Sequence, residues 1–302
     1  MTGVAAERPR AGSEDVTSDN RFVLTTRCKD RPGISAGITG AIFRSGGNIR
    51  EAQQFNDALT SDFFSRTVLS IPAVDEERLR EALSLVCAEF DVRWKLRDMF
   101  LRPRVILMAS RFTHCLGELL YRWRAGELNM DVIAVVSNHS KDVYGDMPGL
   151  SNVPYYHLPV TPDTKQQQEA RIWELVQETS ADLVVLARYM QILSNDLAAR
   201  LSGRCINIHH SFLPSFKGAN PYRQAYARGV KLIGATAHYV TADLDEGPII
   251  EQSVQRIGHH DTPEDLARKG QEVERMVLAR AVRYHIDDRV FLDGHRTIVF
   301  PD

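Results

Sequence analysis

The stretch richest in chemistry is Cys205-Ile206-Asn207-Ile208-His209-His210-Ser211. Read as the end of a β-strand, it puts Asn207 and His209 on one face and Ile206 and Ile208 on the other. An amide beside an imidazole packs poorly in a core, but it suits a carbonyl whose oxygen becomes negative under attack. Two satisfied polar groups at a strand end would give the same pattern. A second segment, Asp243-Leu244-Asp245-Glu246-Gly247-Pro248, holds a carboxylate on a turn, with Gly247 allowing a sharp bend and Pro248 fixing the exit. Asp245 on such a turn can orient water or take a proton, although an acidic hairpin tip is by itself usually a solvated loop. A third segment, Ser211 to Tyr222, is a loop of apolar and turn residues able to close over a flat ligand.

Other chemistries fit less well. The chain has 10 histidines, but His209-His210 and His259-His260 are neighbours, not the i, i+4 pair of a zinc-binding HExxH helix. Adjacent residues on a strand point to opposite faces, so His209 and His210 are expected not to share an ion. Neither a metal nor a cofactor is expected. A nucleophile elbow is not expected, and none of the four cysteines (Cys28, Cys87, Cys115, Cys205) lies in a protease-like context. Their wide spacing fits scattered buried thiols in a cytoplasmic protein. A net charge of −2 gives no reason to expect a nucleic-acid partner, and no apolar run approaches the roughly 20 residues that span a bilayer.

The elements that must position these residues fall into two groups. Residues 1–19 lack the apolar centre of a signal peptide and read as a disordered lead-in. From Arg21 a strand leads to a helix that Asp30 is expected to cap, with Pro32 just inside and Ile34, Ile38, Ile42 and Phe43 on its apolar stripe. Gly46-Gly47-Asn48 ends it. Strands at 48–55 and 63–71, a helix from Asp75 to Glu89 and a strand at 92–96 complete a β-α-β-β-α-β order, which fits a ferredoxin-like domain over 20–98. The joint at 99–103 is charged and contains Pro103. From 104 to 302 the rhythm changes. VILMA, VIAVV and LVVLA are short continuous apolar runs separated by helical stretches, the mark of strands buried on both faces in an α/β, mostly parallel, Rossmann-like sheet. KLIGATAHYV and PIIEQSVQRI are joined too tightly for a crossover helix and should be antiparallel. Thr262-Pro263-Glu264 starts a long closing helix towards Ile286.

INIHHSFLPSFKGANPYRQAY and GVKLIGATAHYVTADLDEGPII resemble the catalytic half of the 10-formyltetrahydrofolate-using formyltransferase superfamily. LARYMQIL, Leu186 to Leu193, resembles its pterin-contacting segment, and LTTRCKDRPGISAGI resembles an ACT domain. The combination resembles the formyltetrahydrofolate deformylase family. That resemblance implies the catalytic set Asn207, His209 and Asp245. It implies a reduced-folate site using Arg188, Tyr189, Met190, Gln191, Ile192, His210, Gly218, Asn220 and Leu244. It also implies a place in one-carbon metabolism, supplying formate for purine synthesis.

The acceptor has to be argued separately. The glycinamide ribonucleotide formyltransferases, the nearest alternative, have a Gly/Ser-rich turn after the first catalytic strand, where backbone N–H groups approach a phosphate. Here that turn reads Ala109-Ser110-Arg111-Phe112-Thr113-His114-Cys115, with no glycine before Gly117 and with Phe112 filling space, although Ser110 and Arg111 remain able to meet an anion. The transferases usually carry proline at His210, whose imidazole can orient water or serve as a surface contact. A methionyl-tRNA formyltransferase would need a further RNA-binding domain. Water is therefore the expected acceptor, with Asp245 as its base or orienter, His209 donating to the oxyanion and Asn207 as a second donor. A folate-binding sensor without catalysis is the reading from a different class.

For the ACT region the resemblance implies a homo-oligomer, expected as a tetramer, and an amino-acid effector, with glycine or methionine as expectations. Asp30, Gly33, Ile34 and Asn48 are its candidate residues, and a purely structural pairing domain fits as well.

Overall fold

The computed structural model describes residues 20–213 and 221–302, in two compact units divided between Arg102 and Pro103. The first unit comprises β1 (Asn20–Lys29), α1 (Ile34–Arg44), β2 (Asn48–Asn56), β3 (Asp62–Ile71), α2 (Glu76–Glu89) and β4 (Arg93–Asp98). Its sheet is antiparallel throughout, in the order β2-β3-β1-β4. Ile34, Ile38 and Ile42 of α1 and Leu79 and Leu83 of α2 pack on Phe22, Leu24, Leu69 and Ile71 of the sheet. This is the expected ferredoxin-like ACT architecture.

Two local expectations fail. The N-cap of α1 is Gly33, at φ 99°, so Pro32 lies outside the helix. Asp30 caps nothing; its carboxylate accepts from Asn56 Nδ2 at 2.6 Å. Phe43 is exposed. Ile38 and Ile42 already form the buried i, i+4 stripe, and the next residue is turned roughly 100° away from it.

The second unit comprises β5 (Arg104–Ala109), α3 (His114–Arg124), β6 (Asp131–Ser137), β7 (Tyr155–His157), α4 (Lys165–Glu178), β8 (Leu183–Leu186), α5 (Asn195–Arg200), β9 (Cys205–His209), α6 (Pro221–Arg228), β10 (Leu232–Tyr239), β11 (Ile249–Arg256), α7 (Pro263–Ile286), β12 (Val290–Asp293) and β13 (Arg296–Val299). Seven strands form one sheet, β11-β10-β9-β8-β5-β6-β7, parallel from β9 to β7, with β10 and β11 antiparallel at the edge. Val105, Leu107 and Ala109 of β5 enter one core cluster with α3 and α7, while Ile106 and Met108 enter another with α4 and α5. A strand sandwiched between helical layers must be apolar on both faces, which is why these strands read as unbroken hydrophobic runs. Each such fully buried side chain contributes about 1.5–3 kcal/mol. Thr262 and Asp265 close a capping box on α7, with Pro263 in the first turn.

β5 has β6 on one side and β8 on the other, so the strand order reverses at β5. Open α/β sheets bind ligands at that point, beyond the carboxyl ends of the strands.

Candidate active site

A cavity of about 1200 Å³ opens at this end of the sheet. Asn207 and His209 line it from the end of β9, as strand alternation requires. Antiparallel pairing sets His238 of β10 directly opposite Asn207, and the Asn207 amide lies 3.3 Å from His238 Nε2. His238 Nδ1–H donates to the Tyr239 carbonyl at 2.9 Å, which fixes the ring. The β10–β11 ladder slips at Ala237/His238, beside the site. Such bulges re-aim side chains.

The turn after β10 delivers Asp245 to the two imidazoles. Its Oδ2 lies 3.2 Å from His209 Nδ1 and its Oδ1 lies 3.7 Å from His238 Nε2. Asp245 has φ 59°, a left-handed conformation that costs a non-glycine residue about 1–2 kcal/mol. Gly247 is needed for a different reason: a Cβ there would run into the Tyr239 carbonyl, because the turn folds flat against β10. Burial alone would raise the Asp245 carboxyl, but the hydrogen bonds and charges of His209 and His238 outweigh it and hold the group well below the usual carboxylate range. With Nδ1 directed at Asp245, His209 Nε2 is left buried without a hydrogen-bond partner among the described residues. A buried polar atom in that condition calls for an explanation, and a reacting oxygen supplies one.

A second polar cluster lines the same cavity. Glu274 of α7 is almost fully buried and takes His114 Nε2 at 2.8 Å, the Tyr222 hydroxyl at 2.6 Å and, as an ion pair, Arg188 Nε at 3.3 Å. Burial would raise the Glu274 carboxyl, but His114, Arg188 and Tyr222 together keep it low and ionised. The Arg188 guanidinium lies under the Phe112 ring, 4.8 Å from its centroid. His114, Cys115 and Glu274 also form the one group of metal-ligating residue types among the described residues. Its carboxylate already faces Arg188, and burial pushes the Cys115 thiol well up, so it stays neutral.

Arg188, Tyr189, Met190, Gln191, Ile192, His210 and Leu244 line the same cavity. Gly218 and Asn220 lie outside the described residues. In the first unit Asp30 is tied to Asn56, Gly33 caps α1, Asn48 is exposed, and the Ile34 side chain is in the core, leaving only its backbone for a ligand. Two expectations need correction. Ser110 is not available to an anion: its hydroxyl donates to Asn138 Oδ1 at 2.7 Å and accepts from Met190 N–H at 3.0 Å. His209 and His210 do not point apart; their ring centroids are 5.0 Å apart, because β9 ends at His209 and alternation stops there. His238, His114, Tyr222 and Glu274 were missed by the sequence reading. The available signal was Gly270, an isolated glycine inside a helical pattern. A Cβ there would overlap the Tyr222 phenol, which crosses α7 at that point to reach Glu274.

The formyl transferase family matches residues 103–282 and the ACT domain family matches residues 22–91. The class is thus an ACT domain joined to a formyl transferase domain. A curated relative, the formyltetrahydrofolate deformylase of Corynebacterium sp. (strain P-1), is 45% identical over 281 residues, 92% of this chain and 98% of the relative. The crystal structure of formyltetrahydrofolate deformylase from Burkholderia mallei matches with a TM-score of 0.87 and 48% identity, covering 93% of this chain and 99% of that one. Glycinamide ribonucleotide transformylase 1 from Symbiobacterium toebii covers 68% of this chain and 97% of its own, with a TM-score of 0.62 and 30% identity. The chain belongs to the formyltetrahydrofolate deformylase family.

Proposed function

We propose that the protein hydrolyses 10-formyltetrahydrofolate to formate and tetrahydrofolate, supplying formate to one-carbon metabolism and purine synthesis. The observation that carries this reading is the convergence of Asn207, His209 and Asp245 on one cavity, with His209 Nε2 buried and unpaired. In its charged form His209 gives one N–H to Asp245 and the other to the formyl oxygen as that oxygen becomes negative. Asn207 adds a second donor. Donors of this kind are worth about 3–4 kcal/mol in the transition state. Asp245 fixes His209 and orients water, and its depressed carboxyl makes it a poor proton acceptor. The roles are all filled by side chains, so the mechanism calls on no metal or cofactor.

Water as acceptor is supported by the wall that a phosphorylated amine would have to meet. Ser110 is engaged, Phe112 covers Arg188, and the Arg188 charge is already matched by Glu274. Arg188 and the segment from Tyr189 to Ile192, with Leu244, are proposed to hold the pterin, and Gly218 and Asn220 to complete the site. We keep the division 1–19, 20–98, 99–103 and 104–302, a cytoplasmic location, assembly as a homo-oligomer, with a tetramer as the working state, and an amino-acid effector on the ACT domain as parts of the proposal.

The deciding experiment is incubation of enzyme with 10-formyltetrahydrofolate and no acceptor, followed by ultraviolet absorbance and formate release. Steady release of formate is expected. Turnover only after glycinamide ribonucleotide is added would make the protein a transferase, and binding without turnover would make it a sensor.

A further inference from the structure

Hydrolysis needs a group that takes a proton from water, and Asp245 is badly placed to be it. Both of its oxygens face imidazoles, at 3.2 and 3.7 Å, and those partners stabilise the ionised form. His210 stands next to this pair and has a different environment. Its ring centroid is 5.0 Å from that of His209, tilted by 51°, and it lines the cavity that holds Asn207, His209 and Asp245. Its side chain makes no hydrogen bond among the described residues. We propose that His210 is the general base that receives the proton of the attacking water, a role that rests on the deformylase reading above.

The charged groups around it keep the imidazole ready for that role. Burial, then the positive charges of Arg188 and His209, push His210 down to about 4, against the opposite pull of Glu274 and Asp245. At neutral pH it is therefore the free base, with a lone pair to offer. His209 is held to Asp245 and directs its remaining nitrogen at the oxyanion, so the two adjacent imidazoles divide the work of donor and acceptor. As water attacks, its O–H bond breaks towards His210, its oxygen bonds to the formyl carbon, and the carbonyl π pair moves onto the oxygen held by His209 and Asn207. Collapse breaks the C–N bond, and the proton on His210 passes to the departing folate nitrogen. The oxyanion raises the proton affinity of His210 during the step, offsetting its low resting value.

The test compares wild type with His210→Ala and His210→Gln in three measurements: hydrolysis without acceptor, affinity for tetrahydrofolate by tryptophan fluorescence, and hydrolysis with added free imidazole. Loss of a general base predicts kcat down by about 10²–10⁴-fold in both variants. Tetrahydrofolate affinity should stay within about threefold of wild type, the usual scale of a change that spares a binding site. Free imidazole should restore at least about tenfold to the alanine variant, whose vacated space it can enter, and little to the glutamine variant. A kcat within about threefold of wild type in both variants would overturn the proposal. So would parallel loss of turnover and tetrahydrofolate binding in both, and so would a fall in kcat that imidazole leaves unchanged. Failure of the deformylase reading itself looks different, since the wild type would then release no formate.

Discussion

Gly270 and Tyr222 offer the sharpest test of how the second unit is built. Within α7, glycine is about 1 kcal/mol worse than alanine, so Gly270→Ala should stabilise a helix that packs normally. Here the added Cβ would overlap the Tyr222 phenol, and the ring has to leave. The displaced hydroxyl gives up its 2.6 Å bond to ionised Glu274, worth about 1.5–3 kcal/mol for a hydrogen bond to a charged group. Residual overpacking adds about 1–3 kcal/mol. After subtracting the propensity gain, Gly270→Ala should lose about 1.5–5 kcal/mol. For a domain of this size that is roughly 3–20 °C in Tm.

The control reverses the sign. In a Tyr222→Ala background no ring crosses the helix, so adding Gly270→Ala should raise Tm by about 2–4 °C, the propensity term alone. The four proteins form a double-mutant cycle with a coupling of several kcal/mol. Thermal melts followed by tryptophan fluorescence in a Trp94→Phe background report the second unit through Trp123 and Trp173. A Gly270→Ala protein as stable as its parent, or one equally destabilised without Tyr222, would refute the arrangement of Tyr222, Gly270 and Glu274.

Asn207→Ala should lower kcat by about 10²–10³-fold while leaving folate affinity nearly unchanged, because the amide donates mainly to the oxyanion; steady-state kinetics beside equilibrium binding would separate the two. Asp245→Asn should bind folate and turn over very slowly, since His209 loses the carboxylate that orients it, and unimpaired hydrolysis would remove Asp245 from the mechanism. Glu274 and Asp245 both have folded carboxyls below their unfolded values of about 4.3 and 3.9. They therefore contribute stability that is present above those values and lost as pH falls. Glu274→Gln should melt lower at pH 7, by the roughly 3–5 kcal/mol of an orphaned Arg188 charge, and should lose less than wild type between pH 6 and 3. Turnover should survive exhaustive chelation; loss restored by zinc would put an ion at His114, Cys115 and Glu274.

What the sequence disclosed about this site depends on the range of the interaction involved. Asn207 and His209 were legible because strand alternation is a local rule, and Asp245 because Gly247 and Pro248 mark the turn that carries it. His238 was not legible. It sits in an apolar run on β10, and only the pairing register with β9 sets it against Asn207, 31 residues away in the chain. Glu274 reads as an ordinary acid on a charged helix; its burial depends on Tyr222 from α6 and Arg188 from the end of β8 meeting at α7. His210 was misread because the alternation rule was carried one residue past the end of the strand. Among the elements, β7 is three residues long and the β12–β13 hairpin comes after the long helix, so neither repeats the apolar rhythm that revealed β5, β6 and β8. The catalytic set follows from local geometry and the surrounding wall from long-range packing, which is why the glycine-free turn after β5 could suggest water as acceptor while the contacts that support it, Phe112 on Arg188 and Arg188 on Glu274, emerge only in three dimensions.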